Sequence, residues 1–252
     1  LGLDSGGPGR HRGGLGMRRA LRLTRGTAAY SLLSDGAIMP PFGIHGGETG
    51  APVDSYVIKA DGSEHHFSSP GKVGGYPLTA DDTVILQSAA GGGYGDPLTR
   101  EPEAVLRDLI NGLVSTEIAE EIYGVRLNDA GEVDDAHTAS KRAELLRSRP
   151  SVRVTALDHD PYTASGPSKR RLIRLNPVDI KAYGLAADQK IELLDIMGPP
   201  LRGWVMPDEA VAPGTVPLDP NGMLSLGIED DAAVQLRPLY TPTVRYRSAP
   251  VI

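Results

Sequence analysis

The feature that most constrains this chain is where its glycines fall. Of 31 glycines in 252 residues, many are bunched into three strings: Asp4-Ser5-Gly6-Gly7-Pro8-Gly9-Arg10-His11-Arg12-Gly13-Gly14, Pro40-Pro41-Phe42-Gly43-Ile44-His45-Gly46-Gly47, and Ala89-Ala90-Gly91-Gly92-Gly93-Tyr94-Gly95-Asp96-Pro97. Glycine is required where a backbone takes positive φ or approaches something too closely for a Cβ. Strings of this kind are therefore loops that come close to a ligand or turn tightly, not the interiors of helices or strands.

With 21 prolines beside those glycines and only 2 Phe and 1 Trp, the composition predicts many short strands joined by tight turns. Apolar runs such as Val84-Ile85-Leu86 and Ile191-Glu192-Leu193-Leu194 argue against low-complexity disorder. The net charge of −6, with no basic stripe interleaved with aromatics, argues against nucleic acid as a partner. The absence of Cys removes disulfides, thiolate metal sites and Cys nucleophiles, and fits a reducing compartment. No apolar run approaches the 18 residues of a spanning helix, and no signal peptide is evident, so a soluble cytoplasmic chain without membrane contact is expected. The first residue is Leu, and a dense motif starts only three residues later. That start predicts a part of a larger protein.

Composition divides the chain. Residues 1 to about 98 read as strand-rich, with β segments at Val53 to Ala60 and Asp82 to Ser88. Residues 99 to 149 read as helical: one helix capped by Thr99 with Pro102 in its first turn, one capped by Ser115, and one over Asp135 to Arg147. A linker is expected over residues 150 to 168. Beyond it, strands are expected at Arg170 to Leu175, Gln189 to Ile196, Gly203 to Met206, Thr215 to Leu218 and Ala233 to Arg237. A short helix at Pro177 to Tyr183 and a hairpin-like Asn221-Gly222 accompany them. The segments Leu175-Asn176-Pro177-Val178-Asp179-Ile180, Gly184-Leu185, Asp208, Pro213-Gly214 and Leu226-Gly227-Ile228 resemble a double-psi β-barrel. The expected fold class is α+β: a β-rich Gly-loop domain with a small helical cluster, then a small double-psi-like barrel over 169 to 238 and an apolar docking tail over 239 to 252.

The strings admit two chemical readings each. The N–H groups of the first can face an anion or carbonyl, with Arg10 and Arg12 pairing a carboxylate or phosphate; alternatively it is a tight turn network with Arg12 salt-bridged to Asp4. His45 is a general base, a ligand or a substrate donor, or a hydrogen-bonded surface residue. The third string offers the Tyr94 phenol beside close-approach glycines, or is a plain strand-to-helix crossover. The spacing is not that of a Walker loop. His65-His66 beside Glu64 is a weak metal candidate, and His137 with Asp134 and Asp135 reads as a solvated helix face. No Ser-His-Asp arrangement or nucleophile elbow is visible.

Asp4 to Gly14, Pro40 to Gly50, and Gly91 to Pro97 followed by Arg100-Glu101-Pro102 and Tyr123-Gly124-Val125 closely resemble the C-terminal third of the hydantoinase B/oxoprolinase family. That family includes N-methylhydantoinases, 5-oxoprolinases, caprolactamases and the acetone and acetophenone carboxylases. The resemblance implies an ATP-dependent cyclic-amide hydrolase in a hetero-oligomer with a hydantoinase A-type ATP-binding subunit and an N-terminal hydantoinase B-type segment. ATP would phosphorylate a lactam or enol oxygen, after which water or a carboxylating species attacks. A ketone carboxylase subunit and a non-catalytic assembly module are the alternatives. The family's metal-binding His and Asp belong to its N-terminal region, so neither the divalent metal nor ATP is expected to bind mainly to this chain. Asp4, Arg12 and His45 are the candidate catalytic residues. Ser5, Gly6, Gly7, Gly13, Gly14, Gly46, Gly47, Gly92, Gly93 and Tyr94 are the candidate binding residues for a small-molecule substrate. Ala89-Ala90 and the appended barrel depart from the family pattern.

Overall fold

The computed structural model describes residues 1–158, 170–195 and 197–246. The chain divides into two units: Leu1–Gly43 with Gly47–Thr138 and the described part of Thr241–Ile252, and Ile44–Gly46 with Ala139–Tyr240.

In the first unit, β1 (Gly2–Leu3), β2 (Arg18–Arg22), β3 (Thr27–Leu33), β4 (Asp54–Ile58), β5 (Glu64–His66), β6 (Lys72–Thr79) and β7 (Thr83–Gln87) follow one another. An antiparallel sheet runs β2-β7-β4-β5, and β3 and β6 form a separate antiparallel ribbon with a bulge between Tyr30 and Leu32. Val57, Leu78 and Val84 are the buried centre of this region, with Tyr30, Phe67 and Tyr76 packed against them.

Asp82, wholly buried in the turn between β6 and β7, organises that corner. Its carboxylate pairs with the Lys59 ammonium and accepts from the N–H groups of Ala60 (3.1 Å) and Thr79 (2.9 Å). The Lys59 contact first, then the Thr79 N–H, holds the acid down at about 2. An unfolded Asp titrates near 3.9, so the folded state favours the ionised form. That contribution is complete above about pH 4 and is lost as the pH falls through about 2. The melting-temperature gap between wild type and Asp82→Asn should therefore narrow from pH 4 to pH 2; a gap constant across that window would contradict the assignment.

The helical part comprises α1 (Pro102–Ile110), α2 (Thr116–Glu121) and α3 (Asp135–Arg147). Ser115 caps α2 by accepting from the Ile118 N–H, as expected. Thr99 does not cap α1: it ends a short 3-10 turn, Pro97–Thr99, whose cap is Asp96, and α1 starts one turn later behind Glu101. Pro102 at the first helical position places that start, because its ring fixes a helical φ and its missing N–H would have been unpaired there. Val105, Val114, Ala119, Tyr123 and Val125 form a second small core.

The second unit contains β8 (Ser151–Ala156), β9 (Leu172–Leu175), α4 (Pro177–Ala182), β10 (Lys190–Leu194), β11 (Leu201–Pro207), β12 (Thr215–Leu218), α5 (Pro220–Leu226) and β13 (Ala233–Pro238). The strand order is β12-β8-β13-β10-β11-β9, and β12 also packs beside β9, which nearly closes a barrel. Two matching halves build it. In each, a strand runs into an Asn or Asp cap, a Pro at the first helical position, a short helix, a glycine at positive φ (Gly184, Gly227) and a second strand: β9-α4-β10 and β12-α5-β13. β9 pairs parallel with β11 and β12 parallel with β8, whereas β10–β11 and β13–β8 are antiparallel. This is the double-psi barrel arrangement. Ile173, Leu175, Ile191, Leu193, Val216 and Leu236 are among its fully buried side chains.

Two expectations are corrected here. Residues 151–156 of the expected linker are β8, because Val152 and Val154 alternate inward as core residues; residues 159–168 of that linker lie outside the described residues. Asn221-Gly222 is not a hairpin turn but lies within α5. Asp219 accepts from the Gly222 N–H, Pro220 starts the helix and Gly227 ends it in the left-handed conformation. Lastly, β14 (Arg245–Tyr246), in the expected tail, pairs antiparallel with β1 in the first unit. Val251 and Ile252 of that tail, like Ile196 and Lys169, lie outside the described residues.

Candidate functional site

In the first unit the glycine strings pack on one another as extended backbone with almost no side chains between. The Gly7 N–H donates to Gly91 O (2.9 Å), Gly13 N–H to Gly7 O (2.9 Å), Gly91 N–H to Gly14 O (2.9 Å), and Gly93 N–H to Glu48 O (2.8 Å). Glu48 N–H returns to Pro8 O (2.7 Å), and His11 and Tyr94 exchange a pair of bonds at 2.9 Å each. A Cβ placed on Gly13 would lie against the Gly91 carbonyl, and one on Gly93 against the Pro8 carbonyl, both far inside van der Waals contact. Neither residue has positive φ. Close approach, not conformational freedom, is what demands glycine at both.

Many N–H groups of the strings, those of Gly7, Gly13, Gly91 and Gly93 among them, therefore already have carbonyl acceptors. Those of Gly14 and Gly92 donate to no acceptor among the described residues. Ser5 is spent on the loop, its hydroxyl donating to Gly2 O (2.7 Å) and accepting from the Gly16 N–H (2.8 Å). Tyr94 extends from the same lattice with 49% of its surface exposed, its ring 6.0 Å from that of His11.

Asp4 and Arg12 do not pair with each other. Asp4, buried at φ 64°, accepts from the Ser115 N–H (2.7 Å), tying the first string to the cap of α2. Arg12 reaches Asp108 on α1 (3.0 Å) and donates to Gly13 O (2.8 Å). Arg100 completes the cluster: it binds Asp108 (2.9 Å) and Arg10 O (2.9 Å) and lies 5.9 Å over the ring of Tyr123. Burial pushes the Tyr123 phenol up to about 12. Two nearly buried guanidinium groups share the Asp108 carboxylate and so clamp α1 to the glycine lattice. The sequence reading missed Asp108 and Arg100. The available signal was an acid three residues after Val105, on the apolar face of α1, where a lone carboxylate needs a cationic partner.

Gly6, Gly7, Gly13, Gly14, Gly47, Gly92 and Gly93 come together in the first unit; His45 and Gly46 belong to the second. There His45, at φ 53°, donates its N–H to Gly198 O (3.3 Å), and Arg237 donates to Gly46 O (3.1 Å). His66 bonds Glu64 (2.9 Å) and stacks on Tyr56, while His65 stacks on Tyr76, so the adjacent histidines serve separate contacts. His137 bonds Asp134 at an exposed position. Among the described residues, no group of three or more His, Asp or Glu gathers to hold a metal ion.

Residues 1–97 match the family model described as Hydantoinase B/oxoprolinase. A putative D-/L-hydantoinase of Pseudomonas sp. (strain NS671) has a B-type polypeptide that is 34% identical over 135 residues, covering 54% of this chain and 22% of that protein. The beta chain of the caprolactamase of Pseudomonas jessenii is 36% identical over 149 residues, covering 56% and 24%. A solved structure titled as the ATP-dependent caprolactamase of that organism aligns at 32% identity over 56% of this chain and 24% of that one, with a TM-score of 0.45. The alpha chain of the acetone carboxylase of Xanthobacter autotrophicus is 27% identical over 185 residues, covering 58% and 23%. The chain thus spans about a quarter of the length of these relatives.

Proposed function

We propose that the hydantoinase B/oxoprolinase-type segment at residues 1–97 makes this chain one part of an ATP-dependent cyclic-amide hydrolase. It works with a hydantoinase A-type ATP-binding subunit and with the remaining hydantoinase B-type polypeptide, in the cytoplasm. One observation carries the reading: the glycine strings inside the matched segment are the ones whose backbones interlock, so the likeness falls on an intact scaffold. No helix among the described residues is long and apolar enough to cross a membrane, in keeping with that location.

The chemistry asked of this chain is positioning and polarisation. The N–H groups of Gly14 and Gly92, which donate to no acceptor among the described residues, are suited to a carbonyl oxygen that gains negative charge, and the half-exposed Tyr94 side chain extends from the same lattice as a candidate substrate contact. Asp4 and Arg12 act as positioning residues, holding the first string through Ser115 and Asp108. His45 is the general-base candidate, tested separately with His45→Asn, a residue that tolerates its positive φ. Among the described residues no group of three or more His, Asp or Glu gathers to hold a metal ion, so the part proposed for this chain is to position and polarise the substrate.

The test is ADP release by the complex assembled from this chain, the A-type subunit and the rest of the B-type polypeptide. Hydantoin, 5-oxoproline or caprolactam should stimulate it. Stimulation only by acetone or acetophenone with bicarbonate would replace this reading with a ketone carboxylase, the alternative favoured by the acetone carboxylase likeness. Full activity of a complex lacking this chain would leave it an assembly module. Within the active complex, Tyr94→Phe should lower kcat/KM about tenfold or more with unchanged melting temperature. Wild-type kinetics would remove Tyr94 from the site.

A further inference from the structure

Residues 5 to 34 contain six arginines (Arg10, Arg12, Arg18, Arg19, Arg22 and Arg25) and no acidic residue, in a chain whose net charge is −6. Their structural setting is as unusual as their number. β2 carries three of them, is an edge strand of its sheet, and is exposed along its whole length, with Leu21 63% exposed. Arg12 is consumed by Asp108, Arg18 reaches the Tyr56 hydroxyl (2.6 Å), and Arg22 meets Asp81 (2.6 Å). The side chains of Arg19 and Arg25 make no ion pair or hydrogen bond among the described residues.

The backbone of β2 is open on one side. The Leu23 N–H donates to Asp82 O and the Ser88 N–H to Met17 O, so the odd-numbered residues of this register bond toward β7. Alternation in an antiparallel ladder then turns the N–H and C=O groups of Ala20 and Arg22 away from the sheet. An open, flat edge of this kind is a template for another strand, and natural proteins normally blunt or cover it.

We propose that β2 is a docking edge at which a partner subunit adds an extended acidic segment as a further strand. This rests on the reading of the chain as one part of a larger assembly. Main-chain bonds to Ala20 and Arg22 supply pairing, Leu21 supplies apolar contact, and Arg19 and Arg25 select carboxylates. A second copy of this chain does not fit, because antiparallel pairing of β2 with itself sets arginines opposite arginines. Nucleic acid would use the charges but not the strand edge.

The test uses the purified chain with short peptides of alternating Val and Glu or alternating Val and Lys. Fluorescence anisotropy gives the affinities and hydrogen exchange reads individual amides. The acidic peptide should bind about tenfold or more tightly than the basic one and slow exchange at Ala20 and Arg22. Ala20→Pro, at a position whose N–H does not face β7, should remove the protection while retaining the fold. Arg19→Glu with Arg25→Glu should cut affinity about tenfold or more in a chain whose melting temperature is unchanged. Absence of binding, binding without amide protection, equal binding of a single-stranded oligonucleotide, or protection by self-association would each overturn the proposal. Because no turnover is measured, failure here leaves the ADP-release test untouched.

Discussion

Gly13→Ala is expected to destabilise the first unit by about 3 kcal/mol or more, while Gly14→Ala, one residue on, stays within about 0.5 kcal/mol of wild type. The difference is geometric. A Cβ on Gly13 meets the carbonyl carbon and oxygen of Gly91 and the carbonyl of Gly92, all backbone, whereas one on Gly14 has open space. Backbone can retreat only by breaking the bonds that hold it, here Gly7 N–H to Gly91 O and Gly91 N–H to Gly14 O. Relief of the clash would unzip the lattice strand by strand. Gly14 has an ordinary negative-φ conformation, so alanine there even gains a little by restricting the unfolded chain. Thermal denaturation of the two variants against wild type checks this, since each kcal/mol moves the midpoint of a unit this size by several degrees. Equal midpoints for Gly13→Ala and wild type would mean that the strings do not interlock.

Much of the fold was legible because its signals are local. Helix α3 has the expected bounds, β12 likewise, and Ser115 caps α2, since each depends on residues adjacent in sequence. The barrel was legible for another reason: a cap, a proline, a short helix and a glycine recur in both halves, and that punctuation carries more information than hydrophobic periodicity does. Legibility failed where the partner is remote. β8 was read as linker because its six residues carry two arginine- or serine-flanked valines, and only pairing with β12 and β13 makes them a barrel strand. Asn221-Gly222 has the composition of a hairpin turn, yet the cap at Asp219 two residues earlier wins.

The candidate site shows the same division. That the strings demand glycine for close approach followed from composition. What they approach did not, because a missing Cβ says only that something is near. It proved to be chiefly other backbone of the same strings, whose carbonyls take up the N–H groups of Gly7, Gly13, Gly91 and Gly93. The partners of Asp4 and Arg12 were likewise hidden, since Ser115 and Asp108 lie 111 and 96 residues away along the chain. Charges within one string look like natural partners on paper. The positive φ at Asp4 and the extended path from Ser5 to Gly13 carry the two side chains to different neighbours instead.

The second large effect belongs to the barrel. Glu192 interrupts the apolar run of β10, is 0% exposed, and faces Arg202 across β11 (2.8 Å) and Arg237 across β13 (2.7 Å). Glu192→Gln keeps the shape and removes the charge that two nearly buried guanidinium groups share. Breaking a buried ion network at one member costs about 3–5 kcal/mol, so the barrel's melting midpoint should fall by on the order of 10 °C or more. Replacing Glu192, Arg202 and Arg237 together with Leu or Met should recover most of that loss, because the desolvation of all three charges disappears with them. The comparison separates two causes that a single variant confounds. If the triple variant is as unstable as Glu192→Gln, the loss lies in the bond from Arg237 to Gly46 O and the packing it holds, not in the unpaired charge. If Glu192→Gln melts within about 2 °C of wild type, the arginines find other acceptors and the triad is not what fixes the three strands.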